Sequence, residues 1–310
     1  MIDRALWGWR VRSELPLPET EPWRGPDGPV DIEIRRGPVP PRLEDRSDGL
    51  PYLDMGRDGT LLLRAMPAAR FLVARDLVIV DSPLPPNAPG WRVLLLGPVL
   101  GILCYLRGVL PLHAGVVRLG ARAAGFAGPP GAGKSTLTAA LCGRGHSFVT
   151  DDVCPVVSLD PRALVRTPYP ALKLEAASVD PVGLEVSRLQ FMGADVDKYQ
   201  RRLGHGFETA PVALDLVYLL EDTPEEGEDS IVPVRGAESF ERLNAEIFHD
   251  DIGRLLWGES ALFGMVARLC ERIVLRRLVR KRDFARLPAL LRLIETDVSG
   301  DLRPMRSGDG

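Results

Sequence analysis

One segment constrains this chain more than any other. GPPGAGKST, residues 128–136, fits the pattern G-x-x-x-x-G-K-[ST], with Gly128, Gly133, Lys134 and Ser135 at the specified places. A β-prone run, 122–127, leads straight into it, and a helix-prone run over about 134–142 leads out and stops at Gly143, a glycine C-terminal signal. This context separates a phosphate-binding loop from a glycine-rich turn that matches by chance. Gly131 and Gly133 let the backbone turn its N–H groups inward, where they and the helix N-terminus hold anionic phosphates. Lys134 then reaches the β- and γ-phosphates, and the Ser135 hydroxyl ligates Mg²⁺. The expected nucleotide-binding set is Gly128, Pro129, Pro130, Gly131, Ala132, Gly133, Lys134, Ser135 and Thr136. The pattern implies binding of a nucleoside triphosphate such as ATP; alone, it does not separate kinases from motor or switch ATPases.

Two further features narrow the chemistry. Phe148 and Val149 form a short β-prone run that ends in Thr150, Asp151 and Asp152. A phosphoryl transferase needs one carboxylate to help hold Mg²⁺ and another to take or orient the proton of the acceptor hydroxyl. An acidic pair at a strand end, a short helix and strand beyond Lys134, lies at the carboxyl edge where ligands bind in such sheets; the same pair would also suit a turn or a helix cap. His113, in the β-prone run 112–119, is the other feature, although a lone strand histidine is more often structural.

The rest of the chain supplies organisation. Its 310 residues exceed the usual single-domain size, and 45% hydrophobic with 26% charged residues is an ordinary globular composition. We expect a β-rich N-terminal unit over 1–90, a catalytic core over 91–235, a helical C-terminal region over 236–298 and a flexible tail over 299–310. Strands are expected at 31–35, 60–64 and 71–80 in the first unit and at 214–220 and 231–234 in the core, with LPLPE at 15–19 and the stretch 38–51 as connections. The apolar run 93–106 is shorter than the ~18 residues a membrane span needs and contains Pro98, so a buried helix with a kink or break near that proline is expected. The N-terminus lacks a secretory pattern, which gives a cytoplasmic expectation with no membrane partner. A net charge of −3 argues against coating nucleic acid. Cys104, Cys142, Cys154 and Cys270 are scattered and read as small buried hydrophobes.

The stretch LPLHAGVVRLGARAAGFAGPPGAGKSTLTAALCGRGHSFVTDDV, 110–153, resembles the catalytic core of bacterial HPr kinase/phosphorylase and its relatives, which look related in fold to phosphoenolpyruvate carboxykinase. His113, the hairpin at Gly120, the turn of Arg144 to His146 and the Asp151–Asp152 pair all match that pattern. The resemblance implies an α/β fold with a P-loop kinase core, a β-rich N-terminal unit and a helical C-terminal region. It makes Asp151 the general base toward an acceptor serine, His113 its support, and Asp152 the partner of Ser135 at Mg²⁺. In layout the chain is similar to the branch that includes kinases of lasso peptide precursors. There the YPALKL segment, 169–174, puts a basic position at Lys173, so that Lys173 or Glu175 faces phosphate or metal. Pro129 and Pro130 depart from the acidic and serine positions of the better-known enzyme, and its phosphorolytic signature is not found.

Lys198, Arg201 and Arg202 form a basic cluster, expected on a mobile loop, that could clamp product phosphate or substrate carboxylates; a solvated turn is the plainer reading. Seven basic residues between Arg272 and Arg286 read as an amphipathic surface helix, with a peptide-docking face as the alternative. Three functions follow for weighing. The first is an ATP-dependent kinase of a serine in a peptide or protein, a kind whose relatives often form homo-oligomers. The others are a small-molecule kinase of the shikimate or gluconate type and a nucleotide-binding regulatory ATPase.

Overall fold

The computed structural model describes residues 1–193, 197–223 and 227–300. The expected tail therefore falls almost wholly outside the described residues, as does part of the acidic stretch 221–229. Short alternating segments build the first layer: β1 (Ile2–Leu6), β2 (Trp9–Ser13), β3 (Glu21–Pro22), β4 (Ile32–Arg36), β5 (Arg46–Leu50), β6 (Leu53–Gly56), β7 (Leu61–Ala65), β8 (Ala69–Val73) and β9 (Leu77–Asp81). They form one nine-stranded sheet in the order β3-β1-β2-β4-β9-β8-β7-β6-β5. The expected single strand 71–80 is two, because the chain turns at Ala74, whose N–H donates to Leu77 O at 2.8 Å, and β8 and β9 then pair antiparallel.

Next comes a helical rod, α1 (Pro89–Leu94), a π-helical turn (Leu95–Val99) and α2 (Leu100–Leu106). Pro98 lacks an N–H and its ring crowds the preceding turn, so the rod widens there instead of breaking. The helix starts earlier than expected. Pro89–Leu106 spans 18 residues at mean hydropathy 1.5, enough by length and composition to cross a membrane, but 67% of that window is buried. Its apolar side chains, Leu95, Leu100 and Leu103 among them, share one core with Val11, Phe71 and Val78 of the first sheet and with Leu112 and Val153 beyond it.

The central sheet follows, from β10 (Leu110–Leu119), β11 (Arg122–Ala127), β12 (Ser147–Thr150), β13 (Val153–Ser158) and β14 (Leu164–Val165). A small sheet comes next, β15 (Ala171–Glu175), β16 (Gln190–Phe191) and β17 (Lys198–Arg202), after which β18 (Val212–Asp222), β19 (Ser230–Pro233) and β20 (Val274–Arg280) complete the central one. Its main body runs β12-β10-β11-β18-β20-β19. β11, β18 and β20 are mutually parallel; β12 is antiparallel to β10, which is antiparallel to β11. Hence β11, β12, β18 and β20 all point their carboxyl ends to one edge. The helices are α3 (Lys134–Gly143), α4 (Ala176–Val179), α5 (Ala237–Asn244), α6 (Asp250–Trp257), α7 (Glu259–Cys270) and α8 (Leu287–Ser299). α3 packs on Leu216, Leu278 and Leu290 on one side and on Leu172 and Leu174 on the other.

Further expectations need correction. The C-terminal region is not wholly helical, and the basic stretch 272–286 is not an amphipathic helix: β20 lies inside the central sheet between β18 and β19. Its cations have tertiary partners: Arg276 pairs with Asp297, Arg277 with Glu221 and Arg280 with Asp222. With their charges neutralised, the β-branched and apolar residues between them satisfy a strand. Similarly, Lys198, Arg201 and Arg202 lie on β17, paired with β15 from Ala171 to Glu175, and not on a loop.

Candidate functional site

The loop 128–136 joins β11 to α3, and its geometry follows from its glycines. Gly131 and Gly133 have φ of 75° and 88°, values that side chains with a Cβ rarely adopt, and Gly133 caps α3 without a side-chain hydrogen bond. The first amides of α3 are thus left without a side-chain cap. At the far end the left-handed residue is Gly145, not Gly143. Lys134 is buried and folds back on the loop, donating from Nζ to Gly128 O at 2.5 Å and Pro129 O at 3.3 Å. Burial lowers its pKa, while Glu246 and Asp152 oppose that shift. Thr136 and Ser178 share a hydrogen bond at 2.9 Å, which ties the loop to α4.

β12 delivers the two acids to the same edge. Asp151 is 5% exposed. Its Oδ2 accepts the Lys173 N–H at 2.6 Å, the Ser135 hydroxyl nearby favours its charged form, and its buried Oδ1 has no partner. Burial pushes its pKa up to about 7 against the Lys173 N–H and the Ser135 hydroxyl. Asp152 keeps 33% of its side chain exposed, with Oδ2 on Lys173 Nζ at 2.8 Å and Oδ1 3.6 Å from His113 Nε2. Burial would raise this carboxyl too, but Lys173 outweighs it and holds the pKa down at about 2. Burial, with Lys134 adding to it, lowers His113 to about 4, so its imidazole is neutral at neutral pH and its contact with Asp152 is not an ion pair. The distance is also too long for a direct hydrogen bond.

The expected pairing of His113 with Asp151 is therefore not the one seen. Asp152, not Asp151, lies beside His113, and the Ser135 hydroxyl acts on the Asp151 carboxyl. The reason lies in the register: Asp151 turns under β15 to meet the Lys173 amide, which leaves Asp152 for the Lys173 ammonium.

A cavity of about 530 Å³ brings most of the expected residues together. His113, 130–136 of the loop, Asp151, Asp152, Lys173, Glu175 and Lys198 line it. Glu175 is exposed at its rim, opposite Lys198 in the β15–β17 register. Arg201 and Arg202 are exposed outside it, and Arg202 pairs with Glu21 at 2.5 Å. Sequence reasoning missed three contributors, all long-range. Glu246, between α5 and α6, accepts the Gly128 N–H at Oε2 (2.8 Å) and the His113 N–H at its backbone oxygen (2.7 Å), joining the loop to β10. Arg280 donates to Ala132 O and, at 3.2 Å, to Asp222 Oδ1, while Arg282 donates to Gly131 O at 3.0 Å. Arg280→Met keeps the bulk but leaves a buried loop carbonyl unpaired. We expect a loss of about 1–3 kcal/mol in urea unfolding; a change within about 0.5 kcal/mol would show that Arg280 does not brace the loop.

An oxygen-seeking dication fits this place, for Ser135 offers a hydroxyl and Asp151 a buried oxygen without a partner. Among the described residues no group of three or more His, Cys, Asp or Glu could hold a metal ion. Mg²⁺ needs no such group, since it takes one or two protein oxygens and completes its shell with phosphates and water.

Comparison with known proteins adds little to this geometry. No family model matches the chain, and no curated protein does. Among solved structures it is similar to the Hpr(Ser) kinase/phosphatase from Coxiella burnetii, at 15% identity and a TM-score of 0.32, over 61% of this chain and 88% of that one.

Proposed function

We propose that the chain is an ATP-dependent phosphotransferase that moves the γ-phosphoryl group to a hydroxyl, with a serine of a peptide or protein as the acceptor. One observation carries this reading. A glycine-turned loop with a buried lysine shares a single cavity with two carboxylates whose environments differ, one beside Ser135 and the other beside His113 and Lys173. A regulatory ATPase that only binds nucleotide has no need of the second, outward acid.

The loop amides and Lys134 hold the triphosphate, which requires Lys134 to leave the Gly128 and Pro129 carbonyls. Ser135 and Asp151 would hold Mg²⁺, which would supply charge neutralisation for the phosphates. Asp152, fixed by Lys173, orients the acceptor hydroxyl. The acceptor oxygen bonds to the γ-phosphorus, the bond to the β,γ-bridging oxygen breaks, ADP leaves, and the hydroxyl proton passes to Asp152 and then to water. Because such transition states are loose, the acid mainly orients, and a low pKa does not disqualify it. A second assignment, Asp151 as the base, is favoured by its pKa near 7.

Mass spectrometry of serine-containing peptides and of small alcohols after incubation with Mg²⁺ and ATP tests the function. We expect a peptide to gain one phosphoryl group and the gain to vanish in Lys134→Ala. A phosphorylated small alcohol with every peptide unmodified would transfer the assignment to a small-molecule kinase.

A further inference from the structure

The cavity has a second end that phosphoryl transfer does not use. Within the central sheet, β12 and its acids stand two places from β11 on one side, with β10 between; β20 stands two places away on the other, with β18 between. The segment after β20 therefore flanks the 128–136 loop on the side away from the acids. It is tied there by Arg280 and Arg282, whose guanidiniums donate to Ala132 O and Gly131 O.

This segment gives the cavity an apolar wall of Phe284, Leu287 and Leu290, next to Leu137 of α3. Leu287 and Leu290 belong to the buried core that contains Ala132 and Leu137, so that part of the wall is fixed. Phe284 is different. It keeps 46% of its surface exposed although it lines a cavity, and its turn is set by Asp283, which accepts the Ala285 N–H at 2.9 Å. An aromatic ring held at the mouth of an apolar recess, beside a loop for phosphates, suits a flat partner that carries phosphates. Stacking of a nucleobase would take that ring out of water.

We propose that Phe284, Leu287 and Leu290 form the nucleoside subsite: the base of a ribonucleoside triphosphate stacks on Phe284 against the two leucines, and its phosphates run into the 128–136 loop. The proposal rests on the nucleotide-binding reading of that loop and adds the residues that hold the base.

Calorimetric titration of the full chain with Mg-ATP and with Mg-tripolyphosphate, which has the phosphates and no base, separates the two. In Phe284→Ala we expect about a tenfold loss of ATP affinity, within the range measured for base–aromatic stacking, with tripolyphosphate affinity unchanged; Phe284→Trp should restore ATP binding. ATP affinity unchanged in Phe284→Ala, or tripolyphosphate affinity falling in parallel, would overturn the subsite while leaving the loop assignment intact. Should the unsubstituted chain bind neither ligand, the nucleotide reading fails and the subsite with it.

Discussion

Asp152→Asn is expected to slow phosphoryl transfer by about 10²- to 10⁴-fold, the usual contribution of a positioned acid or base, with Mg-ATP affinity nearly unchanged. Asp151→Asn should act at a different stage, weakening the dependence of nucleotide binding on Mg²⁺, because Asp151 is the acid near Ser135 with a buried oxygen that has no partner. Removing the Asp152 charge also strands Lys173, which is 6% exposed, so the single variant loses stability as well as rate. Combining Asp152→Asn with Lys173→Met separates these effects. The double variant should recover melting temperature without recovering transfer. Recovery of the rate in the double variant would reduce Asp152 to a structural counter-charge. Loss of transfer in Asp151→Asn with Mg²⁺ dependence intact would give the base role to Asp151.

What the sequence disclosed of this site was its local part. The loop, the strand before it and the helix after it are set by residues adjacent in the chain, so Gly128 to Thr136 could be read directly, and the acids followed because β12 returns to the sheet after one short helix. Their partners could not be read. Whether Ser135 meets Asp151 or Asp152 depends on how β15 lies against the acids, and Lys173 arrives from 22 residues beyond Asp151. Glu246 and Arg280 lie further still, 118 and 148 residues from their loop partners, with no motif to mark them. β20 was misread for a physical reason: seven cations in a short stretch suggest a solvated face, but carboxylates on β18 and α8 neutralise several of them. Charge patterning reports solvent only when the counter-charge is not tertiary.

The LPLPE stretch repeats that lesson and yields the largest stability effect we expect. By composition it is a connection, yet Leu15 and Leu17 are buried, and so is Glu19, at 4% exposed. Glu19 Oε1 accepts the Nε–H of Arg92, itself 2% exposed, at 2.8 Å, and Arg92 donates further to Asn87 O at 2.6 Å and Ala88 O at 2.9 Å. The pair thus pins the first sheet to the start of α1, on the rod whose other side packs against the central sheet. Forming a buried pair gains little net energy, since both ions lose water, but removing one partner leaves the other charged and dry. Glu19→Ala should therefore cost about 3–5 kcal/mol in denaturant unfolding, whereas Glu19→Ala with Arg92→Leu, which removes both charges, should cost markedly less. If the single variant unfolds within about 1 kcal/mol of the parent, the contact is not what holds the first sheet in place. Nucleotide affinity in the folded double variant should match the parent, because neither residue lines the cavity beside the 128–136 loop.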